Sequence, residues 1–230
     1  MRSAVDLYDY IYCWKDYRKE AELLSDMLYR LGLSGSLLEL ACGTGKYISH
    51  LERWDCTGVD LCFESLEHAK KNAPSAFLLH ANMKQTGLDR KFDVIICLFG
   101  GISYLTKAEL NEAIAHWSSL LRVGGVLVIE PWLEEEQIHF GVPFLHTYVA
   151  DDLFVSRTVV PQKSKQSCVL EFYFLVLHNK KIQHFHTTDI LHIHKKEYLL
   201  EVISADNFKM IQSKKGFLQE SFLFFFEKVK

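Results

Sequence analysis

Leu37-Leu38-Glu39-Leu40-Ala41-Cys42-Gly43-Thr44-Gly45-Lys46 decides the fold, because an apolar strand runs there directly into a glycine-rich turn and a predicted helix. Gly43 and Gly45 permit positive φ and let a ligand approach the backbone, and the first amides of the following helix are unsatisfied donors facing that ligand. The third glycine of the dinucleotide fingerprint would fall where Ile48 stands, and no GK[ST] closes the loop as a Walker A motif requires. Glu39, an acid in the strand, would repel a pyrophosphate but suits a ligand that carries positive charge.

Working outward, Thr57-Gly58-Val59-Asp60-Leu61 ends a second strand on a carboxylate. An acid there can accept from both ribose hydroxyls in the crevice beyond the strand ends, where open α/β sheets bind their ligands. Between Ser36 and Pro131, apolar runs at Leu37–Ala41, Cys56–Asp60, Ala76–His80, Phe92–Leu98 and Val126–Glu130 alternate with helical patterns, which is the rhythm of a parallel sheet. Leu110, Ala113, Ile114, Trp117, Leu120 and Leu121 recur at helical spacing, and Gly124-Gly125 is expected to stop that helix before the next strand. The strand runs are nearly continuous in Val, Ile, Phe and Leu, as they must be where helices cover both faces.

After Pro131 the texture changes. Segments near Phe144–Val149, Phe154–Val160, Ser167–His178 and Lys181–His194 are separated by turns without helices, which predicts an antiparallel meander. A helix over Lys195–Asp206 and strands over Asn207–Lys214 and Phe217–Lys228 complete the chain. The expected architecture is one α/β domain over 1–230: a doubly wound, mostly parallel seven-stranded Rossmann-like sheet, an N-terminal helical segment over 1–33 and an antiparallel β lid inserted over 140–194.

A length of 230 residues, with about 100–200 per domain usual, requires no second domain. The formal net charge of -3 and the lack of a basic face exclude electrostatic support for a nucleic-acid partner. The six cysteines, Cys13, Cys42, Cys56, Cys62, Cys97 and Cys168, form no CxxC pair and mostly lie beside apolar residues, which reads as a reducing, cytoplasmic setting. Residues Met1 to Tyr10 lack a basic-then-apolar leader, and no apolar stretch approaches the ~18 residues of a membrane span.

Glu39-Leu40-Ala41-Cys42-Gly43-Thr44-Gly45 with Gly58-Val59-Asp60 resembles motif I and the acidic loop of class I S-adenosylmethionine-dependent methyltransferases. Tyr8-Asp9-Tyr10-Ile11-Tyr12 with Lys15-Asp16-Tyr17, Ser103-Tyr104-Leu105 and Glu130-Pro131-Trp132 are similar to the N,N-dimethyltransferases that act on nucleotide-linked amino sugars. The resemblance implies S-adenosylmethionine as cofactor, with Tyr17 and Tyr12 at its carboxylate, Gly43 against the methionine part, Asp60 at the ribose, and Glu39, Ala41 and Leu61 also in the cofactor site. Asn82 and Met83 would flank the adenine. Leu98 and Phe99 would line the methyl-transfer channel, with Phe99 and Tyr104 as catalytic positions, and Tyr8, Trp132 and His184 would meet the acceptor.

The acceptor this implies is a small molecule, an amine such as an amino sugar. The rivals are a small-molecule O-methyltransferase, for which His116, His146 or His184 would supply the base, and a catalytically silent methyltransferase-like binding subunit. Tyr8, Tyr12, Tyr104 and Trp132 fit packing roles as well as ligand roles. Asp60 also fits a helix-capping role for the segment beginning at Phe63. His184-Phe185-His186 and His192-Ile193-His194 put imidazoles on alternate strand positions, but no acid or cysteine sits at a ligand spacing around them, and no metal is expected. Glu134-Glu135-Glu136 reads as a solvated first helical turn, and exposed strand edges of the lid offer a homodimer face.

Overall fold

The computed structural model describes residues 3–218 and 220–230. The start of the expected 1–33 helical segment and Gln219, inside the expected Phe217–Lys228 strand, therefore lie outside the described residues. In chain order the elements are α1 (Ala4–Ile11), α2 (Tyr17–Arg30), β1 (Gly35–Leu40), β2 (Trp54–Asp60), α3 (Phe63–Asn72), β3 (Phe77–His80), β4 (Phe92–Cys97), α4 (Lys107–Leu120) and β5 (Leu121–Ile129). They continue with β6 (Phe144–Ala150), β7 (Leu153–Ser164), β8 (Ser167–His178), β9 (Lys181–His192), α5 (Lys196–Ser204), β10 (Phe208–Lys215) and β11 (Phe222–Lys228).

The chain divides into two compact units: residues up to Asp16 together with Glu134–Ile193, and Tyr17–Leu133 together with His194–Lys230. The N-terminal helical segment is thus shared, α1 falling in the first unit and α2 in the second.

The larger unit holds a seven-stranded sheet in the order β10-β11-β5-β4-β1-β2-β3. β1, β2, β3, β4 and β5 pair in parallel, and β11 runs antiparallel to both β5 and β10. Alternation sends Leu38, Leu40, Ile95, Cys97, Leu127 and Ile129 into one core with α4 and α5. Leu37, Val94, Ile96, Val126 and Val128 enter another with α2 and α3. Both faces are therefore dry, which is why the strands read as unbroken apolar runs. Trp117 of α4 is fully buried, its indole nitrogen donating to the Met83 carbonyl at 2.8 Å.

Two expectations are corrected here. Only a single 3₁₀ turn, Ile48–His50, follows the glycine loop where a longer helix was predicted, because β2 already begins at Trp54. Gly124-Gly125 do not stop α4, which ends at Leu120 and passes into β5 at Leu121. They lie in a bulge where pairing jumps from Leu121 opposite Phe92 to Val126 opposite Val94, and Gly124, at φ +78°, absorbs the extra residues.

The smaller unit is a four-stranded antiparallel meander, β6-β7-β8-β9. Leu7 and Ile11 of α1 pack with Leu153, Val155, Phe174 and Val176 on one face. Glu135–Gln137 forms a 3₁₀ turn rather than the start of an α-helix. No helix among the described residues is long and apolar enough to cross a membrane.

Candidate active site

The sheet order reverses between β1 and β4: the chain steps outward to β2 and β3 on one side, then returns to β4 and continues to β5 on the other. This is the switch point at whose carboxyl ends an open α/β sheet presents a ligand crevice. Ala41, directly after β1, and Phe99, two residues after β4, hold left-handed backbones although neither is glycine, at φ 54° and φ 52°. Such conformations cost about 1–3 kcal/mol each and persist only where neighbours enforce them. The enforcing contacts are visible. A Cβ on Gly101 would lie 3.2 Å from the Ala41 Cβ, so the two loops interlock. The Phe99 amide donates to Glu130 Oε2 at 2.9 Å, and the Gly100 amide to the Glu130 carbonyl at 3.0 Å.

Glu39 shares its face of β1 with Leu37 and is 3% exposed, with Oε2 lacking any hydrogen-bond partner among the described residues. Burial, then the charge of Asp60, push its carboxyl well above the usual carboxylate range, against a hydrogen bond from the Ile48 amide. An under-partnered buried acid beside an open backbone loop suits a cationic ligand. Gly43, at φ +53°, has nothing within 4 Å of the place a Cβ would occupy, which leaves the loop clear for a ligand.

Asp60 closes β2 with both oxygens engaged: Oδ2 accepts from the Gly43 amide at 2.7 Å and Oδ1 from the Cys62 amide at 2.8 Å. It makes no side-chain cap on α3, whose N-cap position is Cys62. Each carboxylate oxygen can accept a second bond, so capacity for ribose hydroxyls remains. Leu61 is exposed, and its carbonyl meets His80 Nε2 at 2.9 Å. Asn82 occupies a turn after β3, its side-chain oxygen accepting from the Lys84 amide at 2.9 Å, and Met83 is buried beside it. Leu98 is buried, whereas Tyr104, at the end of the 3₁₀ turn Gly101–Tyr104, is half exposed. Trp132 packs on Gly100, where a Cβ would lie 3.1 Å from its own Cβ. Tyr17 opens α2 and meets Tyr47 edge-on at 5.1 Å.

Twelve of the expected site residues, Tyr17, Glu39, Ala41, Gly43, Asp60, Leu61, Asn82, Met83, Leu98, Phe99, Tyr104 and Trp132, therefore fall in the seven-stranded unit. Tyr8, Tyr12 and His184 fall in the four-stranded unit. There the rings of Tyr8 and Tyr12 lie 4.6 Å apart, and the Tyr12 hydroxyl accepts from Arg157 Nη1 at 3.2 Å. His184 pairs with Leu175 on the exposed face of the sheet, opposite the face that packs α1. Among the candidate bases, His116 Nε2 accepts from the Thr86 amide at 3.0 Å, and burial lowers the affinity of that imidazole for a proton. No group of His, Cys, Asp or Glu able to hold a metal occurs among the described residues.

Sequence reasoning missed the role of Glu130. It is fully buried and gathers four donors: the Phe99 amide on Oε2, and on Oε1 the Phe217 amide, the Leu218 amide at 2.7 Å and the Ser221 hydroxyl at 2.8 Å. The available signal was an acid directly after the apolar run Val126–Ile129, the same pattern that singled out Asp60.

The methyltransferase-domain family matches residues 37–125. The dTDP-3-amino-3,4,6-trideoxy-alpha-D-glucopyranose N,N-dimethyltransferase of Streptomyces venezuelae is 33% identical over 201 residues, covering 84% of this chain and 85% of that protein. The crystal structure of Streptomyces venezuelae DesVI superposes with a TM-score of 0.92 at 28% identity, over 99% of both chains. CalS10, an amino pentose methyltransferase from Micromonospora echinaspora solved with S-adenosylmethionine bound, superposes with a TM-score of 0.87 at 25% identity, over 99% of this chain and 98% of that one.

The sheet order, the glycine loop and the paired acids define a class I Rossmann-like methyltransferase, and the chain belongs to that family of S-adenosylmethionine-dependent enzymes. The cofactor is S-adenosylmethionine, and the residues present fit it. Glu39 keeps one buried oxygen without a hydrogen-bond partner among the described residues, which suits a cationic ligand, Gly43 opens the loop, and Asp60 retains acceptor capacity for a ribose.

Proposed function

We propose that this enzyme methylates the amino group of a nucleotide-linked amino sugar and transfers two methyl groups in succession. The observation that carries the reading is the extent of the likeness to amino-sugar N-methyltransferases. It runs beyond the 37–125 core into the four-stranded unit, over nearly the whole chain, and specificity resides in such additions rather than in the shared sheet.

S-adenosylmethionine supplies a methyl group already activated by its sulfonium, so the protein's task is alignment and exclusion of water. Glu39, Ala41 and Gly43 hold the methionine part, Asp60 and Leu61 the ribose, and Asn82 and Met83 the adenine, with Tyr17 at the carboxylate. Leu98 and Phe99 border the path of transfer, and the left-handed turn at Phe99, pinned through Glu130, fixes that border. Tyr104 and Trp132, in the same seven-stranded unit, face the acceptor. The acceptor must be a neutral amine with its lone pair exposed. For an amine of pKa near ~8 that costs roughly 1 kcal/mol at neutral pH, so no strong base is required.

Incubation with S-adenosylmethionine and a thymidine-diphosphate-linked 3-amino sugar, followed by mass spectrometry, is expected to show addition of one and then two methyl groups. Cofactor binding with no transfer to any amino sugar would favour the silent binding subunit. Transfer only to hydroxyl acceptors would favour the O-methyltransferase.

A further inference from the structure

The turn that follows β3 is tied down on two sides within the seven-stranded unit. The Ala81 amide donates to the Asp60 carbonyl at 3.1 Å, which sets the turn beside the end of β2. α4 holds the other side: Trp117 Nε1 donates to the Met83 carbonyl at 2.8 Å, Lys84 Nζ to Glu109 Oε1 at 2.8 Å, and the Thr86 amide to His116 Nε2 at 3.0 Å. Across the turn the Gln85 amide donates to the Asn82 carbonyl at 3.0 Å.

Asn82 is half-buried at the head of this frame, and the frame decides which way its side-chain amide points. Oδ1 accepts from the Lys84 amide at 2.9 Å. A backbone N–H can only donate, so the prong that meets it is the oxygen; exchanging the two prongs would set an NH2 group against an N–H. The NH2 prong is left for a ligand, and it bonds to no described residue. A turn anchored to α4 at Met83, Lys84 and Thr86 has little freedom to surrender the Lys84 contact and reverse the amide.

Adenine carries its exocyclic amine between two ring nitrogens, N1 and N7, that can only accept. A carboxylate can meet the amine but has no hydrogen to give to either nitrogen. A carboxamide can do both. Oδ1 keeps a second lone pair for the amine, and the NH2 group can donate to the ring nitrogen beside it, a two-pronged match between Asn and adenine.

We propose that Asn82 reads the base of the cofactor through its NH2 group, which donates to a ring nitrogen next to the exocyclic amine. The inference rests on the reading that places the adenine at Asn82 and Met83. It makes Asn82 a specificity-determining residue: a base that lacks that nitrogen leaves the NH2 group unpaired and is bound less well.

Calorimetric titration of the full chain with S-adenosylhomocysteine and with its 1-deaza and 7-deaza analogues, in which a C–H replaces N1 or N7, tests this. Wild type is expected to bind at least one analogue ~10-fold more weakly than S-adenosylhomocysteine. Asn82→Asp keeps an acceptor for the Lys84 amide but has no donor, so it should bind that analogue within ~2-fold of S-adenosylhomocysteine. Asn82→Ala should level the same pair, and it decides the matter if the Asp variant does not fold. The analogue whose penalty disappears names the nitrogen.

Equal binding of all three ligands by wild type, or a penalty that the variants retain in full, overturns the proposal. Both of those outcomes leave S-adenosylhomocysteine bound and sink only the contact at Asn82. Wild type that binds none of the three ligands removes the cofactor reading and the inference with it.

Discussion

Replacing Glu39 by Gln is expected to stabilise the free protein and weaken the cofactor in the same molecule. The side chain is isosteric, 3% exposed, and leaves Oε2 without a partner among the described residues. Because burial and Asp60 raise its carboxyl above the ordinary value, the folded state favours the protonated acid. The sign follows: the contribution of Glu39 to stability is full below the unfolded carboxylate value of about 4.3 and is lost as pH rises through the raised folded value.

At pH 7 to 8 the wild type therefore bears a destabilising term that Gln lacks. Each tenfold change in proton affinity is worth about 1.4 kcal/mol, so a gain on the order of 1 kcal/mol is expected, or about 2–4 °C in Tm for a chain of this size. A cationic ligand reverses the balance by favouring the ionised acid. Contact with the ligand's ammonium group, which S-adenosylhomocysteine keeps although it lacks the sulfonium, should release a proton and tighten binding as pH rises towards the raised value, and loss of that charge-assisted contact, about 1.5–3 kcal/mol, should weaken S-adenosylhomocysteine by ~10- to 100-fold in the Gln variant. Differential scanning calorimetry with and without that ligand, and titrations in two buffers of different ionisation enthalpy, read both effects. A Gln variant that melts lower than wild type and binds S-adenosylhomocysteine equally well would refute the reasoning.

Two further outcomes follow from particular contacts. Glu130→Gln replaces one acceptor oxygen by an amide that faces backbone donors from Phe99 or the 217–218 turn, so a loss of about 2–4 kcal/mol is expected in urea unfolding; an unchanged midpoint would show that the turn is not held this way. Glu109, held down to about 2 chiefly by Lys84 and then by the Thr106 cap, contributes stability above the ordinary carboxylate range that is lost as pH falls towards about 2. Its partial exposure limits this to roughly 1 kcal/mol. Stability curves of wild type and Glu109→Gln should converge on acidification, and parallel curves would count against the pairing.

What was legible in the sequence was whatever depends on neighbours along the chain. Unbroken apolar runs gave the parallel strands because both faces are buried, and the turn-separated runs after Pro131 gave the meander, with Ser167–His178 placed to the residue. The glycine turn and the end of β2 at Asp60 were legible because an apolar run closed by a glycine or an acid marks where a strand stops. Boundaries failed where a distant partner decides them. β5 begins at Leu121 because Phe92 is there to pair with it, and the glycines became a bulge rather than a stop.

The sequence alone determined the sheet and its glycine loop, since those follow from periodicity and glycine conformation, and its motifs carried the likeness to S-adenosylmethionine-dependent methyltransferases. Only tertiary structure decided that Glu39 is buried with an oxygen unpartnered among the described residues, that Glu130 joins segments far apart in the chain, and that Arg157 lies against the rings of Tyr12 and Phe172. Burial and partnership are properties of packing between remote residues, and no local pattern encodes which donor a side chain will meet.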